Sequence, residues 1–593
     1  MNYFAPVRDM EFVINELAGL DEIAELPGFE ESTADLVSAV LEEAGKFSGE
    51  VLAPLNKTGD EEGSRLVDGK VVVPSGFSEA YEQFVECGWL GIGKDVEFGG
   101  QGMPHLVATA VDEMWNASNL SFSLCPLLTS GAVAALLKHA DGSLKATYVA
   151  KMVSGEWAGT MNLTEPQAGS DLAAIRTEAT PEDDHYRIRG QKIFITWGDQ
   201  EMTENVIHLV LARLPDAPEG VRGISLFLVP KYLVNADGSI GSRNDIHVVS
   251  LEHKLGVHAS PTCTVALGDT EGAVGYLVGK ANRGLACMFT MMNAARLGTG
   301  LQGVAIADRA YQQAVAYAKE RVQGSSTSGE GRVTIINHPD VRRMLMLMRS
   351  QTEAMRSVAY ITGAFLDRAG HAPEEGDRQL SQQRVDLLTP IAKAWCTEVA
   401  QEVTTLGLQV HGGMGYIEDT GSAQHFRDGR ITTIYEGTTG IQASDLVGRK
   451  ILRDEGQAMR SLLGDIRAFE KTMPTDDERL AILRRELTSG REALADVTDW
   501  ILTNAPSDRN AAGSVSVNLL MLMGTVIAGW HMARAAISAI KKLDGGTTEG
   551  SFYETKLVTA RFYAEQVMPR IRAYRDAVVS GSESTMALEE HQF

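Results

Sequence analysis

Cysteine is scarce in this sequence and its few copies are scattered. The 593 residues include five cysteines, with no C-x-x-C pair and no histidine at zinc-ligand spacing, at Cys87, Cys125, Cys263, Cys287 and Cys396. Thiols this far apart predict neither a disulfide framework nor a zinc site. We therefore expect reduced structural thiols and predict no metal site.

Basic charge is also in deficit. The chain has 54 Lys and Arg residues against 78 Asp and Glu residues, a formal net charge of -24. Binding to a nucleic-acid backbone requires concentrated Lys and Arg side chains. The composition therefore excludes nucleic acid as an expected partner.

Long hydrophobic runs are missing as well. The nearest approach is the dozen residues 519–530, LLMLMGTVIAGW, whereas a helix needs roughly 20 apolar residues to cross the bilayer core. This run predicts a buried helix rather than an integral membrane segment. The start of the chain has acids among its first residues and no apolar core, unlike a signal peptide. We expect a cytoplasmic protein.

The chain is too long for one compact core, so we expect several domains. Apolar residues at helical spacing predict a helical domain over residues 1–156, and short alternating runs predict an antiparallel β domain over 157–283. Helical patterns return over 284–455, broken by a Gly/Ser-rich loop at 323–331, and again over 456–593. The fold class is therefore mainly α with a central β domain.

The last of these domains contains apolar residues spaced as a heptad seam. The seam comprises Leu480, Leu483, Leu487, Leu494, Val497 and Ile501, with Gly490 filling one turn. Such a stripe predicts a helix that buries one face against other helices. Docking on a membrane surface is the alternative for this extension.

One glycine pattern matches a dinucleotide-binding motif but lacks the surrounding elements of that motif. Residues 298–303, GTGLQG, fit the dinucleotide-binding fingerprint G-x-G-x-x-G. That fingerprint requires a strand before it and a helix after it, and here the surroundings are helical throughout. We interpret these glycines as sites of close helix packing.

Two segments at the start of the β domain combine groups that suit a ligand. LTEPQAGSD, residues 163–171, offers the hydroxyls of Thr164 and Ser170 beside Gly169. KIFITWGD, residues 192–199, places Phe194 and Thr196 on one face of a predicted strand. A ring and a hydroxyl so placed suit a flat heterocycle, although a polar turn and an ordinary half-buried strand remain alternatives.

A third segment, residues 431–450, places a single carboxylate among apolar and small residues. Glu436 follows Tyr435 and precedes Gly437, with Ile434 and Ile441 close in sequence. No basic residue adjoins Glu436. The run therefore raises the question of what an isolated acid does there.

The three segments, together with EHKLGVHASPTC at residues 252–263 and QVHGGMGY at 409–416, occur in the order seen in acyl-CoA dehydrogenases. The chain resembles that family over residues 30–455, and its length resembles the long bacterial subgroup with a C-terminal extension. The resemblance implies the family's fold: a helical domain, a β domain and a helical bundle. It also implies FAD as cofactor and an acyl-CoA as substrate, either a fatty acyl-CoA or 3-methylthiopropanoyl-CoA.

The resemblance assigns roles residue by residue. Residues implied to contact FAD are Leu163, Thr164, Gly169, Ser170, Phe194, Thr196, Arg321, Gln409, Gly413 and Thr438. Residues implied to contact the substrate are Ser170, Asn293, Arg296, Tyr435 and Gly437. In the family, the matches of Arg321 and Gln409 serve a neighbouring subunit, which implies a homodimer or homotetramer.

The sequence departs from the family pattern at several positions. Asn162 replaces a small residue or cysteine, Asn293 stands where many members have Asp, and Gly440 stands where many have Gln. The loop 323–331 is longer and more polar than usual. These departures concern individual contacts rather than the reaction.

The catalytic base of the family occupies one of two places, and only one of them is an acid here. The position before Arg296 is Ala295, which has no carboxylate, so the resemblance leaves Glu436 as the base. A base that removes an α-proton works best with a pKa near the operating pH, and an apolar setting raises the pKa of a carboxylic acid. The family also polarises the thioester carbonyl with the backbone N–H of this glutamate.

The predicted reaction is α,β-dehydrogenation to a trans-2-enoyl-CoA, with hydride transfer to flavin N5. Electrons then pass to electron transfer flavoprotein. One alternative is an acyl-CoA oxidase that uses dioxygen, and another is a DNA-binding flavoprotein of the same fold, which the acidic composition disfavours.

Overall fold

The computed structural model describes residues 3–326, 329 and 331–593; residues 327, 328 and 330 of the predicted loop 323–331 lie outside that range. Contacts group the chain into two compact units. The first unit comprises residues 3–5, Ala44–Met103 and Met114–Gly298. The second comprises Pro6–Glu43, Pro104–Glu113 and Thr299–Phe593.

The N-terminal region is helical, as the apolar spacing predicts. Its helices are α1 Val7–Phe12, α2 Leu20–Ala24, α3 Ala34–Phe47, α4 Pro54–Glu62, α5 Phe77–Glu86, α6 His105–Ser118, α7 Leu120–His139, α8 Gly142–Leu144 and α9 Ala150–Ser154. A small hairpin, β1 Arg65–Val67 and β2 Lys70–Val72, interrupts them and was not predicted. Its turn is Asp68-Gly69, with φ of 50° and 76°, a pair that favours hairpins.

The predicted β domain is an eight-stranded sheet with the order β10-β11-β5-β12-β7-β6-β3, and β4 pairs with β5 and β6. Its strands are β3 Trp157–Asn162, β4 Glu178–Glu182, β5 His185–Thr196, β6 Asn205–Arg213, β7 Ile224–Pro230, β10 Ile246–Leu251, β11 Thr262–Leu267 and β12 Ala273–Val278, with the separate hairpin β8 Tyr232–Val234 and β9 Ile240–Arg243.

The sheet is mainly antiparallel, as predicted, but the sequence did not predict its parallel pairing at one edge. β3 runs parallel to β6 over its whole length, and Glu178 of β4 forms a parallel bridge to Arg213. A parallel pair requires a long connection, which the chain between β3 and β6 supplies. Sequence patterning identifies strands, but it does not determine which strands become neighbours.

The centre of the sheet is buried on both faces. All seven residues of β7 are buried, and eight of the nine in β6. Residues such as Leu209 and Leu226 pack with Leu136 and Met152 on one face, while Val210 and the rest of a second cluster lie on the other. The sheet is therefore a rigid support for the segments at its edge.

The second helical region begins with one long helix. Its helices are α10 Gly284–Glu320, α11 Pro339–His371, α12 Glu375–Pro390, α13 Cys396–His411, α14 Ser422–Arg430 and α15 Thr439–Asp445, with a short hairpin β13 Val322–Ser325 and β14 Arg332–Thr334. The GTGLQG segment lies inside α10. A Cβ on Gly300 would lie 2.3 Å from the carbonyl oxygen of Ala392, so these glycines serve helix packing, as predicted.

The C-terminal extension is helical, and its seam is buried as predicted. Its helices are α16 Gln457–Thr472, α17 Ala481–Asn504, α18 Ala511–Asp544, α19 Gly550–Gln566 and α20 Arg570–Val579. Among the described residues, two helices are long and apolar enough to span a membrane, α7 and α18, but 78% and 67% of their most apolar windows are buried in the protein. The run at residues 519–530 lies in α18 and is largely buried, as predicted.

Candidate active site

The turn 163–165 is fastened to strand β5 in the first unit. Ile193 donates its backbone N–H to the carbonyl of Thr164 at 2.9 Å. Lys192 donates its Nζ to the carbonyl of Leu163 at 3.0 Å and to Glu165 Oε1 at 2.8 Å. The two segments predicted separately from the sequence are thus neighbours in the fold.

The ion pair between Lys192 and Glu165 is almost wholly inaccessible to solvent. Burial alone raises the pKa of Glu165, but the Lys192 ammonium, the Thr177 hydroxyl and the backbone N–H of Arg176 outweigh it and hold that pKa at about 2. Glu165 therefore remains a carboxylate. Its role is to fix the turn, because its oxygens are taken up by donors of the protein.

Phe194 lies at an irregularity of strand β5. The register with β11 shifts between Lys192 and Ile195, which makes a β-bulge. Phe194 has φ of 58°, a conformation that bulky residues rarely adopt. Its ring is nevertheless 58% exposed. A strained backbone that presents an aromatic ring to solvent is typical of a ligand site.

Polar groups around Phe194 are available to a ligand. The hydroxyls of Thr164, Ser170 and Thr196 form no hydrogen bond with any described residue. Thr164 and Thr196 are half-buried, and Gly169 is exposed with only Thr164 Cγ2, at 3.9 Å, near the position of an added Cβ. The protein itself does not require glycine there. These residues fit a flat cofactor that needs ring contact and hydrogen-bond partners.

Asn162, where the family favours a smaller residue, is fully buried under this turn on β3. Its Nδ2 donates to Thr160 Oγ1 at 2.7 Å, and Thr160 Oγ1 lies 2.9 Å from Nδ1 of His208. Burial lowers the pKa of His208 to about 3, so the imidazole is neutral. The departure at Asn162 therefore belongs to a buried polar network.

The predicted substrate residues Asn293 and Arg296 lie on helix α10 and contact each other. Arg296 Nη1 donates to Asn293 Oδ1 at 3.2 Å. Arg296 is 6% exposed, whereas Asn293 is exposed. Ala295, the alternative position for a base, is buried. An amide at position 293 accepts from the arginine as an aspartate would, but it does not neutralise the arginine's charge.

Glu436 lies in the second unit, in an irregular turn between the 3-10 helix Ile431–Thr433 and α15. Glu436 has φ of 55° and Gly437 has φ of 93°, so two successive residues adopt left-handed conformations. Only glycine adopts this region without strain. The chain therefore needs contacts elsewhere to hold Glu436 in place.

Three side chains supply those contacts, of which Gln442 and Lys393 are fully buried. The Tyr435 hydroxyl donates to Gln302 Oε1 of α10, and burial raises the pKa of Tyr435, so it remains a neutral donor. Gln442 Nε2 donates to the carbonyl of Glu436 at 3.0 Å. Lys393 Nζ donates to the carbonyl of Gly437 at 2.6 Å.

The prediction that apolar neighbours bury Glu436 is wrong in part. Tyr435 is half-buried, but Ile434 is 47% exposed and Ile441 is 39% exposed. The reason is geometric, because the left-handed turn directs its carbonyls inward and leaves both isoleucines at the surface of the unit. Glu436 itself is half-buried.

The remaining predicted cofactor residues are exposed in the second unit. Arg321 follows the end of α10, Gln409 lies in the last turn of α13, and Gly413 lies in the exposed segment beyond it. Thr438 caps helix α15, where its Oγ1 accepts from the N–H of Ile441 at 3.3 Å. No hydrogen bond or ion pair among the described residues joins Arg321, Gln409, Gly413 and Thr438 to one another.

Sequence patterns missed the residues that hold the site. Lys393, Gln442 and Gln302 are fully buried, and none was predicted. The one available signal was Lys393, a lone charge in the apolar run LLTPIAKAWC at residues 387–396. No group of three or more His, Cys, Asp or Glu side chains in the described part of the chain is arranged to hold a metal.

Comparison with known protein families gives four matches that together span most of the chain. Residues 37–156, 160–270 and 282–452 match the N-terminal, middle and C-terminal domains of acyl-CoA dehydrogenase. Residues 462–589 match a domain described as acetyl-CoA dehydrogenase C-terminal like. The predicted order of helical domain, β domain, helical domain and extension is confirmed.

Individual relatives match over the full length. The chain is 48% identical over 590 residues to a 3-methylmercaptopropionyl-CoA dehydrogenase of Ruegeria pomeroyi, covering 99% of each protein. It is 35% identical over 615 residues to a broad-specificity linear acyl-CoA dehydrogenase of Mycobacterium tuberculosis, covering all of both. The fold matches an acyl-CoA dehydrogenase of Bacillus anthracis complexed with FAD, at a TM-score of 0.75 and 20% identity over 96% of this chain and 91% of that one.

Proposed function

This chain belongs to the acyl-CoA dehydrogenase family, and from that premise we propose that it oxidises an acyl-CoA thioester to the trans-2-enoyl-CoA with Glu436 as the base. The observation that carries the proposal is the turn at Glu436. A glutamate held at φ of 55° by contacts from Tyr435, Gln442 and Lys393 is positioned rather than mobile. Ala295 offers no acid at the other position used by the family.

Glu436 takes the α-proton of the acyl chain onto its carboxylate, which leaves the electron pair to form the new double bond. A base must lie within hydrogen-bond reach of the proton that it removes. The buried anchors of the turn serve that requirement by fixing the backbone from which the side chain extends. Ile434 and Ile441 are exposed in the free protein, and we propose that bound acyl chain covers apolar surface here and excludes water.

FAD is the proposed cofactor, and the residues of the first unit fit it. Phe194 offers an exposed ring, and Thr164, Ser170 and Thr196 offer hydroxyls that no described residue occupies. When bound, FAD supplies the acceptor for the hydrogen that leaves the β-carbon as hydride. The protein's part is to hold the ring and to hydrogen-bond its polar edge.

Electron transfer flavoprotein is the proposed acceptor of the electrons. A homodimer or homotetramer is the proposed assembly, in which Arg321, Gln409 and Gly413 serve a neighbouring subunit. All three are exposed in the single chain, as such a role requires. Cytoplasmic location remains part of the same proposal.

The substrate that we propose first is 3-methylmercaptopropionyl-CoA, on the basis of the 48% identity over the full chain. Straight-chain acyl-CoAs are the second candidate, favoured by the relative described as a broad-specificity linear acyl-CoA dehydrogenase. The base meets the same α-proton in both. Only the pocket around the distal part of the chain distinguishes them.

The base is tested by Glu436→Gln in the holoenzyme. We expect the variant to retain FAD and to bind substrate, while the rate of flavin bleaching under anaerobic mixing with acyl-CoA falls by at least about 100-fold, the scale of a lost general base. The matched control is Glu455→Gln, because Glu455 is an exposed glutamate that also has a left-handed backbone, with φ of 54°. Bleaching at an undiminished rate in Glu436→Gln would overturn the assignment.

The substrate and the acceptor are tested together. 3-Methylmercaptopropionyl-CoA and pentanoyl-CoA differ only by sulfur in place of one methylene, so their kcat/KM ratio isolates recognition of the thioether. A ratio well above one supports the thioether substrate, and a ratio near or below one supports the linear class. Recovery of the oxidised spectrum by electron transfer flavoprotein but not by air supports the dehydrogenase over an oxidase.

A further inference from the structure

We infer that Lys393 is a positioning residue for the base, and that the C-terminal extension supports Lys393 through a close contact between Gly524 and Trp395. The inference rests on the proposed function, because it concerns the reaction of Glu436. It assigns to the extension a part in the chemistry of a site that lies outside it.

Lys393 holds the turn through a backbone carbonyl. Its Nζ donates to the carbonyl of Gly437 at 2.6 Å, one residue beyond the base. Gln442 takes the preceding carbonyl, that of Glu436, at 3.0 Å. Two consecutive carbonyls are therefore held by two buried donors, which fixes the two peptide planes that flank Gly437, and the first of these planes directly follows Glu436.

Lys393 is completely inaccessible to solvent. It lies on a π-helical turn, Ile391–Trp395, between α12 and α13. Such π turns are rare in proteins, and those that occur frequently lie at functional sites. Burial of a lysine costs free energy unless the ammonium meets strong acceptors. The burial of Lys393 beside the turn of Glu436 therefore needs a reason other than packing.

The π turn is held from two sides by glycines. On one side, a Cβ added to Gly300 of α10 would lie 2.3 Å from the carbonyl oxygen of Ala392 and 3.0 Å from the backbone nitrogen of Lys393. On the other, a Cβ on Gly524 of α18 would lie 2.2 Å from Trp395 Cγ. Trp395 is 1% exposed and has no room to withdraw.

Gly524 belongs to the extension, and Trp395 is two residues from Lys393. Protein interiors transmit small displacements because they are close-packed. A side chain at position 524 must push the indole and the π turn that carries it, which moves the donor that holds Gly437. The line of contacts runs from α18 through Trp395 and Lys393 to the turn of Glu436.

The effect of losing this support falls on the chemical step. A base displaced by about 1 Å loses on the order of 100-fold in rate, while groups that bind the rest of the substrate are unaffected. The expected signature is a fall in the rate of flavin reduction at saturating substrate, with an unchanged dissociation constant. Proton removal then limits the rate more fully, so the isotope effect from α-deuterated substrate increases.

The test uses holoenzyme of the full chain, α-dideuterated and unlabelled pentanoyl-CoA, and anaerobic rapid mixing. Lys393→Met keeps the length of the side chain and removes its donor; we expect a 10- to 100-fold slower flavin reduction, about the scale of a displaced base, with a larger isotope effect. Lys393→Gln keeps a donor, and we expect a rate between those of the wild type and Lys393→Met. Rates and isotope effects equal to the wild type in both would overturn the inference, and Lys393→Gln carries the comparison should the methionine variant not fold.

The role of the extension is tested by a pair of variants in one helix. Gly524→Ala crowds Trp395, whereas Gly529→Ala, five residues along α18, crowds Met568 at 2.6 Å and lies away from the π turn. We expect both to lower the unfolding midpoint and only Gly524→Ala to slow flavin reduction and enlarge the isotope effect. An equal effect of the two on flavin reduction would show that the extension acts through stability alone.

Failure of this inference is distinguishable from failure of the proposed function. If the wild type reduces its flavin with acyl-CoA and Glu436→Gln does not, the proposed function stands whatever Lys393 does. If wild type and Glu436→Gln behave alike, the proposed function fails and the Lys393 inference fails with it. If Lys393→Met reduces its flavin at the wild-type rate while Glu436→Gln does not reduce it, only the inference about Lys393 fails.

Discussion

Phe194 has a left-handed backbone although its aromatic ring is more than half exposed. Such a conformation costs a bulky residue roughly 1–3 kcal/mol. No burial of the ring within the described chain repays this cost. The proposed packing of FAD on the ring would offset this cost.

Replacement of Phe194 by glycine is predicted to stabilise the apoprotein and weaken FAD binding. Glycine adopts this φ without strain, so we expect apoprotein stability in urea to increase by up to about 1 kcal/mol after the entropy cost of glycine. FAD affinity, measured by titration of flavin fluorescence, should fall. The control is Val249→Gly, because Val249 is an exposed strand residue without a left-handed backbone, and it should only lose stability.

At this scale the sequence and the fold contributed different things. Motifs single out Glu436, Phe194 and Thr196 as proposed site residues, because their chemistry has to be encoded in contiguous residues. Lys393 is identified by position alone, since any donor that reaches the turn from a neighbouring helix serves. No local pattern records which helix lies beside the turn.

Among the elements, helix α6 depends on a cap supplied by a distant helix. Asp367 near the end of α11 accepts from the N–H groups of His105 at 2.7 Å and Leu106 at 3.0 Å, the first residues of α6. Negative charge is favourable at a helix start, yet Asp367 is fully buried. Burial prevails over these two bonds and raises the pKa of Asp367 to about 7.

Asp367 is therefore predicted to make stability depend on pH between about 4 and 7. A raised pKa means that the folded protein keeps a proton that the unfolded chain has released above about pH 4. The stabilisation is complete below that pH and is lost as the pH rises to about 7. In Asp367→Asn, urea midpoints measured from pH 4.5 to 8 should lack this decline, so the variant gains relative to wild type as pH rises.

The matched control for this titration is Asp340→Asn, at the exposed start of the same helix. Its urea midpoints over the same pH range show what an Asp→Asn substitution on α11 does away from the buried cap. A difference between Asp367→Asn and the wild type that stays constant with pH would show that Asp367 has an ordinary pKa in the folded protein.

The predictions of secondary structure were correct where apolar residues repeat over a long segment. They failed where the structure depends on which strands pair. The helices, the buried run in α18 and the heptad seam follow from apolar spacing within one segment. The hairpin β1–β2 was missed because its strands are three residues long. The parallel pair of β3 and β6 was missed because two distant segments determine it.

Within the second unit, helix α1 near the start of the chain packs against helix α19 of the C-terminal extension. Lys556 of α19 forms ion pairs with Asp9 of α1 and, at 3.3 Å, with Glu353 of α11. Phe12 packs edge-on against Phe552 at 5.8 Å between ring centroids. Burial opposes ionisation of Asp9, but the Lys556 ammonium lowers its pKa below the ordinary value, so this pair stabilises the fold above about pH 4 and is lost in acid.

Asp9 and Lys556 are predicted to be energetically coupled, so that replacing both costs less than the two single replacements together. Asp9→Asn leaves Lys556 buried with one fewer partner, and we expect a loss of about 3 kcal/mol, the lower end for a buried ion pair. The double variant with Lys556→Met should lose less than the two single variants together, by about 1–3 kcal/mol. Urea unfolding at pH 7 measures all four proteins.

The surface pair Arg8 and Glu549, at 2.8 Å, provides the comparison. Both side chains are about a third or more exposed, so solvent screens them and their coupling should be at most about 1 kcal/mol. Equal coupling energies for the two pairs would show that burial of Lys556 adds nothing to the contact between α1 and the extension.

The sequence by itself determined the family and the order of the domains, and it supplied Glu436 as the proposed base. These follow from composition and from motifs, because chemistry requires particular side chains at short spacing. Tertiary structure alone decided what holds those side chains. The contacts of Lys393 and Gln302 with the turn of Glu436, the bulge at Phe194 and the contact of Gly524 with Trp395 join segments far apart in the chain. Only close packing determines which distant residues meet.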